Sequence, residues 1–178
     1  MYFNAYSSET EVIFLNIFTV SLFGHREIDD LWRLEKQLYP IIKKLIESKT
    51  YVTFLIGRNG EFDEFAASVI KRVQKELGKE NNDITLVLPY SVANIEDYEK
   101  YYDSIIIPES TYGVHYKSVI TLKNRWMIEQ SELVIVYVER DRGGAYAVMK
   151  YAEKLNKKII NLCDDENFYR QPNNKMHI

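Results

Sequence analysis

The sequence has few of the cysteines and histidines that stabilise small proteins through disulfide bonds or structural metal ions. It contains a single cysteine, Cys163, and three histidines in 178 residues. A lone cysteine cannot form an intrachain disulfide, and no group of cysteines and histidines has the spacing of a zinc site. We therefore expect a protein of the reducing cytoplasm that holds no metal and no cofactor.

The sequence also lacks an excess of positive charge. Its 23 lysines and arginines stand against 26 aspartates and glutamates, for a formal net charge of −3, and no basic run is present. Sequence-independent binding to nucleic acid depends on many contacts between phosphates and basic side chains. Nucleic acid is therefore not expected as a partner, although a local cationic pocket remains compatible with this charge balance.

No long hydrophobic run indicates a membrane span. The apolar stretch from Val12 to Phe23 is interrupted by Asn16 and is shorter than the about 20 residues that cross a bilayer. It also lacks the basic flank and small-residue cleavage site of a signal peptide. We interpret it as a strand and expect no membrane partner.

What the sequence does have is an alternation of aliphatic runs with amphipathic segments. Strands are predicted at residues 18–23, 51–56, 84–88, 104–107, 133–138 and 158–162. Helices between strands indicate βαβ units, hence an α/β fold with a doubly wound, mainly parallel sheet and helices on both faces. The length and a hydrophobic content of 46% fit a single domain. Its core is expected over about residues 18–162, with an N-terminal extension at 1–12 and a C-terminal tail at 164–178.

Two of the predicted helices carry specific expectations. Pro40 lies within the helix that Asp29 or Asp30 caps, and we expect it to kink or split that helix. The helix before the strand at 133–138 is expected to bury Val119, Leu122 and Trp126.

Two loops that contain glycine follow predicted strands, at residues 57–60 and 140–144. Right-handed crossovers bring the carboxyl ends of parallel strands to one edge, so both loops should lie beside Gly24, His25 and Arg26. The first N–H groups of a helix carry the positive end of its dipole, so such loops bind anions. Neither loop has the glycine spacing of a dinucleotide fold or the Gly-Lys-Ser/Thr of a triphosphate loop, which disfavours hydride transfer and ATP hydrolysis.

The candidate site consists of side chains and glycines at this edge. The arginines could bind phosphate through two hydrogen bonds each, whereas Asp63, Glu109 and His25 are candidates for proton transfer or for contacts with ribose. Simpler interpretations remain open: surface arginines, a helix first-turn carboxylate at Asp63 and a structural histidine at His25. The predicted ligand-binding residues are Gly24, His25, Arg26, Gly57, Arg58, Asn59, Gly60, Asp63, Glu109, Arg125, Arg140, Arg142, Gly143 and Gly144.

An ordered set of motifs resembles the SLOG superfamily, and within it the YpsA-type branch of bacterial and phage proteins. The resemblance covers roughly residues 20–162 and implies a Rossmann-like fold that binds a nucleotide or nucleotide-derived ligand, often as a homodimer. The motifs are Phe23-Gly-His-Arg26, Phe54-Leu-Ile-Gly-Arg-Asn-Gly-Glu-Phe-Asp63, Lys123-Asn-Arg-Trp-Met127, and Gly143-Gly144 with Lys150-Tyr-Ala152.

These observations predict a binding protein for a nucleotide-derived small molecule, such as an ADP-ribose or cyclic nucleotide signal, which the protein senses or sequesters. Whether it is also an enzyme stays open. One alternative is a hydrolase that cleaves the N-glycosidic bond of a nucleoside monophosphate, with Glu109, Asp63 or His25 in catalysis. The cytokinin-activating enzymes of the superfamily do this with a glutamate whose position falls on Lys150 here, which disfavours that activity. The other alternative is an interaction protein with a vestigial pocket.

Overall fold

The computed structural model describes residues 16–164. The predicted N-terminal extension and all but the first residue of the predicted C-terminal tail lie outside this range. The strands are β1 (Ile17–Gly24), β2 (Tyr51–Ile56), β3 (Asn82–Val87), β4 (Ser104–Ile106), β5 (Leu133–Tyr137) and β6 (Lys158–Asn161). The helices are α1 (Leu31–Ser48), α2 (Glu61–Leu77), α3 (Ile95–Glu99), α4 (Tyr116–Gln130) and α5 (Gly144–Lys154), with a 3₁₀ turn at Glu109–Thr111.

The six strands form one parallel sheet in the order β4-β3-β2-β1-β5-β6. Helices α1 and α2 contribute to one buried cluster, and α4 and α5 contribute to a second. Because both faces are covered, β5 is buried along its whole length, which explains its continuous aliphatic sequence. The predicted α/β fold, Rossmann-like and doubly wound with helices on both faces, is confirmed.

Helix α1 begins as the sequence indicates but is longer than Pro40 suggests. The Asp30 carboxylate accepts a hydrogen bond from the Arg33 backbone N–H at 2.9 Å and caps the helix. The helix then runs unbroken through Pro40, so the split that this residue suggested does not occur. Leu38 and Ile42, on either side of the proline, are fully buried, and this packing offsets the missing backbone hydrogen bond.

Helix α4 buries a face that only partly matches the predicted one: Val119 is buried as predicted, but Leu122 and Trp126 are not fully buried. Val119, Lys123 and Met127 point inward at a spacing of four residues, whereas Leu122 and Trp126 are only half-buried. Because charged side chains normally lie on the solvent side of a helix, the lysine at position 123 makes the buried face look polar in the sequence. Two of the buried positions of this helix, Lys123 and Met127, therefore each lie one residue after the predicted Leu122 and Trp126.

No helix within residues 16–164 is both long and apolar enough to span a lipid bilayer.

Candidate functional site

A cavity of about 290 Å³ opens at the carboxyl edge of the sheet. It lies where the strand order reverses, because β1 is followed along the chain by β2 on one side and is flanked by β5 on the other. Loops after β1 and β2, the middle of α4 and the start of α5 form its walls. Eight of the predicted site residues line it: Gly24, His25, Arg26, Gly57, Asn59, Gly60, Asp63 and Gly144.

The other six predicted residues do not line this cavity. The Arg58 guanidinium lies 4.6 Å from the centre of the Tyr98 ring, and that of Arg125 lies 5.1 Å from the centre of the Tyr151 ring. The remaining four, all exposed, are Glu109, Arg140, Arg142 and Gly143.

Close backbone approaches fix the walls of the cavity. A Cβ atom added at Gly24 would overlap the Phe62 ring, and one added at Gly60 would lie 2.6 Å from the Arg26 Cα. The Glu61 N–H also donates to the Arg26 carbonyl at 3.0 Å, while the Glu61 carboxylate accepts from the Ile28 N–H at 2.8 Å. The loop that carries Arg26 is therefore held against the start of α2.

The inner wall of the cavity carries a buried pair of opposite charges. Lys123 is 2% exposed and Asp63 is 9% exposed. Both approach the position that a side chain would occupy at Gly57, where a Cβ would lie 2.7 Å from Lys123 Nζ and 2.9 Å from Asp63 Oδ2. Only glycine at position 57 leaves room for both groups.

Burial disfavours both charges of this pair. It raises the pKa of the Asp63 carboxyl group, an effect opposed by a 2.8 Å hydrogen bond from the Asn59 N–H and by the Lys123 ammonium. It lowers the pKa of the Lys123 ammonium, which Asp63 opposes in turn. Asp63 thus has a donor, whereas Lys123 Nζ makes no hydrogen bond to another described residue.

Lys123 is the main residue that sequence analysis missed. It appeared in the superfamily motif but not among the predicted site residues, because a lysine within an amphipathic helix normally faces solvent. The available signal was its spacing of four residues from both Val119 and Met127, two residues that the structure buries.

The two glycine loops differ in their capacity to bind an anion. Helix α2 has Glu61, Asp63 and Glu64 in its first turn, and Asp63 already occupies the Asn59 N–H. These carboxylates neutralise the positive end of the α2 dipole.

Helix α5 keeps its positive end uncompensated. Its first turn has no acidic residue, and the N-cap residue Gly143 provides no side-chain acceptor. Among the described residues no acceptor pairs with the N–H groups of Gly144, Ala145 or Tyr146. Gly144 and Ala145 line the cavity, so these donors lie at its wall, and α5 is the better of the two anion sites.

His25 connects two loops at this edge. Its Nε2 accepts a hydrogen bond of 3.1 Å from the Glu139 N–H, and its ring meets that of Tyr137 edge-on at 6.1 Å. The bond occupies the nitrogen that would otherwise act as a base, so the structural role weighed for His25 accounts for its position.

The fold and this site define a class: a Rossmann-like α/β protein with a cationic pocket at the point where the strand order of its sheet reverses. No protein-family model matches the chain, and no curated protein matches it in sequence. Solved structures do match. DNA processing protein A (DprA) from Streptococcus pneumoniae aligns with a TM-score of 0.61 at 14% identity, over 82% of this chain and 50% of that protein.

DNA processing protein A from Helicobacter pylori aligns with a TM-score of 0.55 at 14% identity, over 81% of this chain and 64% of that protein. The chain therefore spans about half to two thirds of the length of these neighbours, and at such identity the likeness is one of fold. The likeness supports the Rossmann-like fold, whereas the SLOG superfamily and its YpsA-type branch stay predictions from the sequence.

The structural comparison contradicts two sequence predictions. The H. pylori protein binds single-stranded DNA, which conflicts with a nucleotide-derived small molecule as the ligand and with the exclusion of nucleic acid as a partner. The exclusion rested on the net charge of −3, a sum over the whole chain. Phosphate contacts depend instead on local charge, and here Lys123 and Arg26 bring two cations to one cavity.

Proposed function

We propose that this chain binds single-stranded DNA at the carboxyl edge of its sheet, with a backbone phosphate in the cavity between β1, β2, α4 and α5. The observation that carries the proposal is the buried Lys123 ammonium, which lines the cavity and lacks a hydrogen-bond acceptor among the described residues. The residue is largely withdrawn from solvent but faces the cavity, so its ammonium group can donate to an anion there, and a phosphate oxygen would supply the acceptor.

Three kinds of donor converge on that phosphate in our proposal. They are the Lys123 ammonium, the exposed guanidinium of Arg26 and the N–H groups at the start of α5. Among the described residues, Asp63 is the one carboxylate that lines the cavity, and it already accepts a hydrogen bond from the Asn59 N–H. The fold likeness to a protein that binds single-stranded DNA agrees with a phosphodiester as the anion.

Exposed tyrosines at the same edge suit the bases. Tyr90 follows β3, Tyr112 follows β4, and Tyr116 begins α4; their exposed fractions are 56%, 66% and 69%. Aromatic side chains stack on bases of any sequence, each for about 1–3 kcal/mol. A binding mode built on a phosphate pocket and stacking would therefore tolerate many DNA sequences.

The test is fluorescence anisotropy with a labelled twelve-nucleotide oligothymidylate at fixed low salt. Lys123→Met keeps most of the length of the side chain and removes its charge. We expect it to weaken binding by about 10-fold or more, the effect of losing one hydrogen bond to a charged group. Arg26→Ala, at an exposed side chain, provides a second variant that leaves the core intact. Lys75→Ala, on the exposed side of α2, is the matched control and should bind as the unmodified protein does.

Wild-type protein that fails to bind the oligonucleotide would contradict the proposal. Equal affinity of the Lys123→Met and Arg26→Ala variants with the wild type would contradict the pocket as the binding site. The YpsA-type branch, a homodimeric state and a cytoplasmic location stay predictions from the sequence.

A further inference from the structure

We infer that the groove between α4 and α5 binds the next stretch of the same DNA strand, an inference that rests on the proposed function. The groove has a volume of about 630 Å³. It shares Ile120, Asn124, Gly144 and Val148 with the phosphate pocket, so the two cavities are continuous. A strand with one phosphate in the pocket can therefore extend directly into the groove.

The groove is cationic along its length. Arg125, Lys150 and Lys154 line it, and no carboxylate of the described residues does. Lys150 pairs with Glu153 on the same helix. Arg125 and Lys154 are both exposed and form no ion pair with another residue in the range 16–164, so they are the two cations best placed for phosphates.

The two helices give the groove a direction. Both α4 and α5 begin at the carboxyl edge of the parallel sheet and run toward its amino edge. Helix α5 has 11 residues and is about 16.5 Å long at a rise of about 1.5 Å per residue. A stacked strand with about 3.4 Å between phosphates would place roughly five nucleotides along it.

Arg125 is held in a geometry that suits this role. Its guanidinium lies over the Tyr151 ring, and the Tyr151 hydroxyl donates a 2.6 Å hydrogen bond to Glu129. This contact holds the guanidinium beside the ring, and its N–H groups can donate to a phosphate. The Tyr151 bond also occupies Glu129, the one carboxylate of α4.

The experiment compares oligothymidylates of two and twelve nucleotides by anisotropy, as a function of salt, because the single internucleotide phosphate of the dinucleotide occupies only the pocket. The wild type should bind the twelve-nucleotide strand more tightly than the dinucleotide. The Arg125→Ala/Lys154→Ala variant should lose this gain with length and keep the affinity for the dinucleotide. For the longer strand, the slope of log affinity against log salt should become shallower by about 0.7 for each phosphate that is no longer neutralised, or about 1.4 for two.

The matched control is Lys44→Ala/Lys75→Ala, which removes two exposed cations from α1 and α2 on the opposite face of the sheet. The inference is overturned if the groove variant keeps the wild-type affinity and slope for twelve nucleotides, or if the control loses as much. It is also overturned, without affecting the proposed function, if the wild type binds both lengths equally. Wild-type protein that binds neither length would refute both.

Discussion

At the scale of the residue, the buried pair of Lys123 and Asp63 is costly for stability. Removing two charges from water costs several kcal/mol each, and a pair without full hydrogen bonding does not recover that cost. Both pKa shifts have the direction of this penalty, since burial favours the neutral form of each group. In our proposal, the role of Lys123 in binding a phosphate accounts for the presence of such a pair.

This view predicts opposite effects on stability and on binding. The double variant Asp63→Asn/Lys123→Met removes both charges at nearly constant volume, and we expect it to be at least as stable as the wild type, by up to about 4 kcal/mol. Lys123→Met alone should be less stable than the double variant, because it leaves Asp63 buried without its cation. Urea denaturation gives the free energies of unfolding, and anisotropy should show that both variants bind DNA poorly. A double variant that is clearly less stable than the wild type would mean that the pair is stabilising.

Asp63 also predicts a pH dependence with a definite sign. Its folded pKa lies above the unfolded value of about 3.9, so the folded state binds the proton more tightly. Its contribution to stability is present in full below about pH 4 and declines as the pH rises through the folded pKa. The free energy of unfolding of the wild type should therefore fall relative to that of Asp63→Asn as the pH rises above about 4, as urea titrations at several pH values would show. A constant difference over that range would mean that the pKa of Asp63 is not raised.

At the scale of the element, the start of α5 depends on one glycine and not on its neighbour. Gly143 has φ +92° and ψ −177°, a conformation that is essentially restricted to glycine. Gly144 has no such φ, and a Cβ there would meet no atom within 4 Å.

We expect Gly143→Ala to cost about 1–3 kcal/mol and Gly144→Ala to change stability by less than about 0.5 kcal/mol. For a domain of this size the first change lowers Tm by roughly 2–12 °C. Thermal denaturation followed by circular dichroism separates the two variants. Equal melting temperatures would show that the backbone at Gly143 is not strained in the way described.

Elements differ in how far the sequence predicts them. The buried strands were predicted to within one or two residues, because aliphatic runs bounded by glycine or proline admit few other structures. The glycine loops were placed at the correct edge, since right-handed crossovers fix that edge. For helix α4 the burial of Val119 was predicted correctly and that of Lys123 was missed, because only tertiary packing reveals a buried lysine. The difference between the α2 and α5 loops likewise depends on the Asp63 hydrogen bond, which joins groups that the fold brings together.

At the scale of the whole molecule, the net charge was a poor guide to whether nucleic acid is a partner, because it does not show where the cations lie. The chain has a net charge of −3, yet its cations are not evenly spread. Arg26 and Lys123 meet at the carboxyl edge, and the groove between α4 and α5 adds three more. A second concentration lies at the opposite, amino edge, where Lys44, Lys49 and Lys158 line an apolar cavity of about 580 Å³. If DNA is attracted by the overall electrostatic potential of the protein, cations at both edges should contribute to binding. If DNA binds at the pocket, only the cations at the carboxyl edge should contribute.

Two single substitutions with the same effect on net charge distinguish these cases. Arg26→Ala and Lys44→Ala each change the formal charge from −3 to −4, and both side chains are exposed. We expect the first to weaken the binding of twelve-nucleotide oligothymidylate by about 10-fold, as for a charged hydrogen bond, and the second to change it by less than about twofold. Anisotropy titrations in the same buffer measure both, because equal salt keeps the screening of distant charges the same. Equal losses would indicate that binding follows the overall charge, and the pocket beside Lys123 would then have no special role in it.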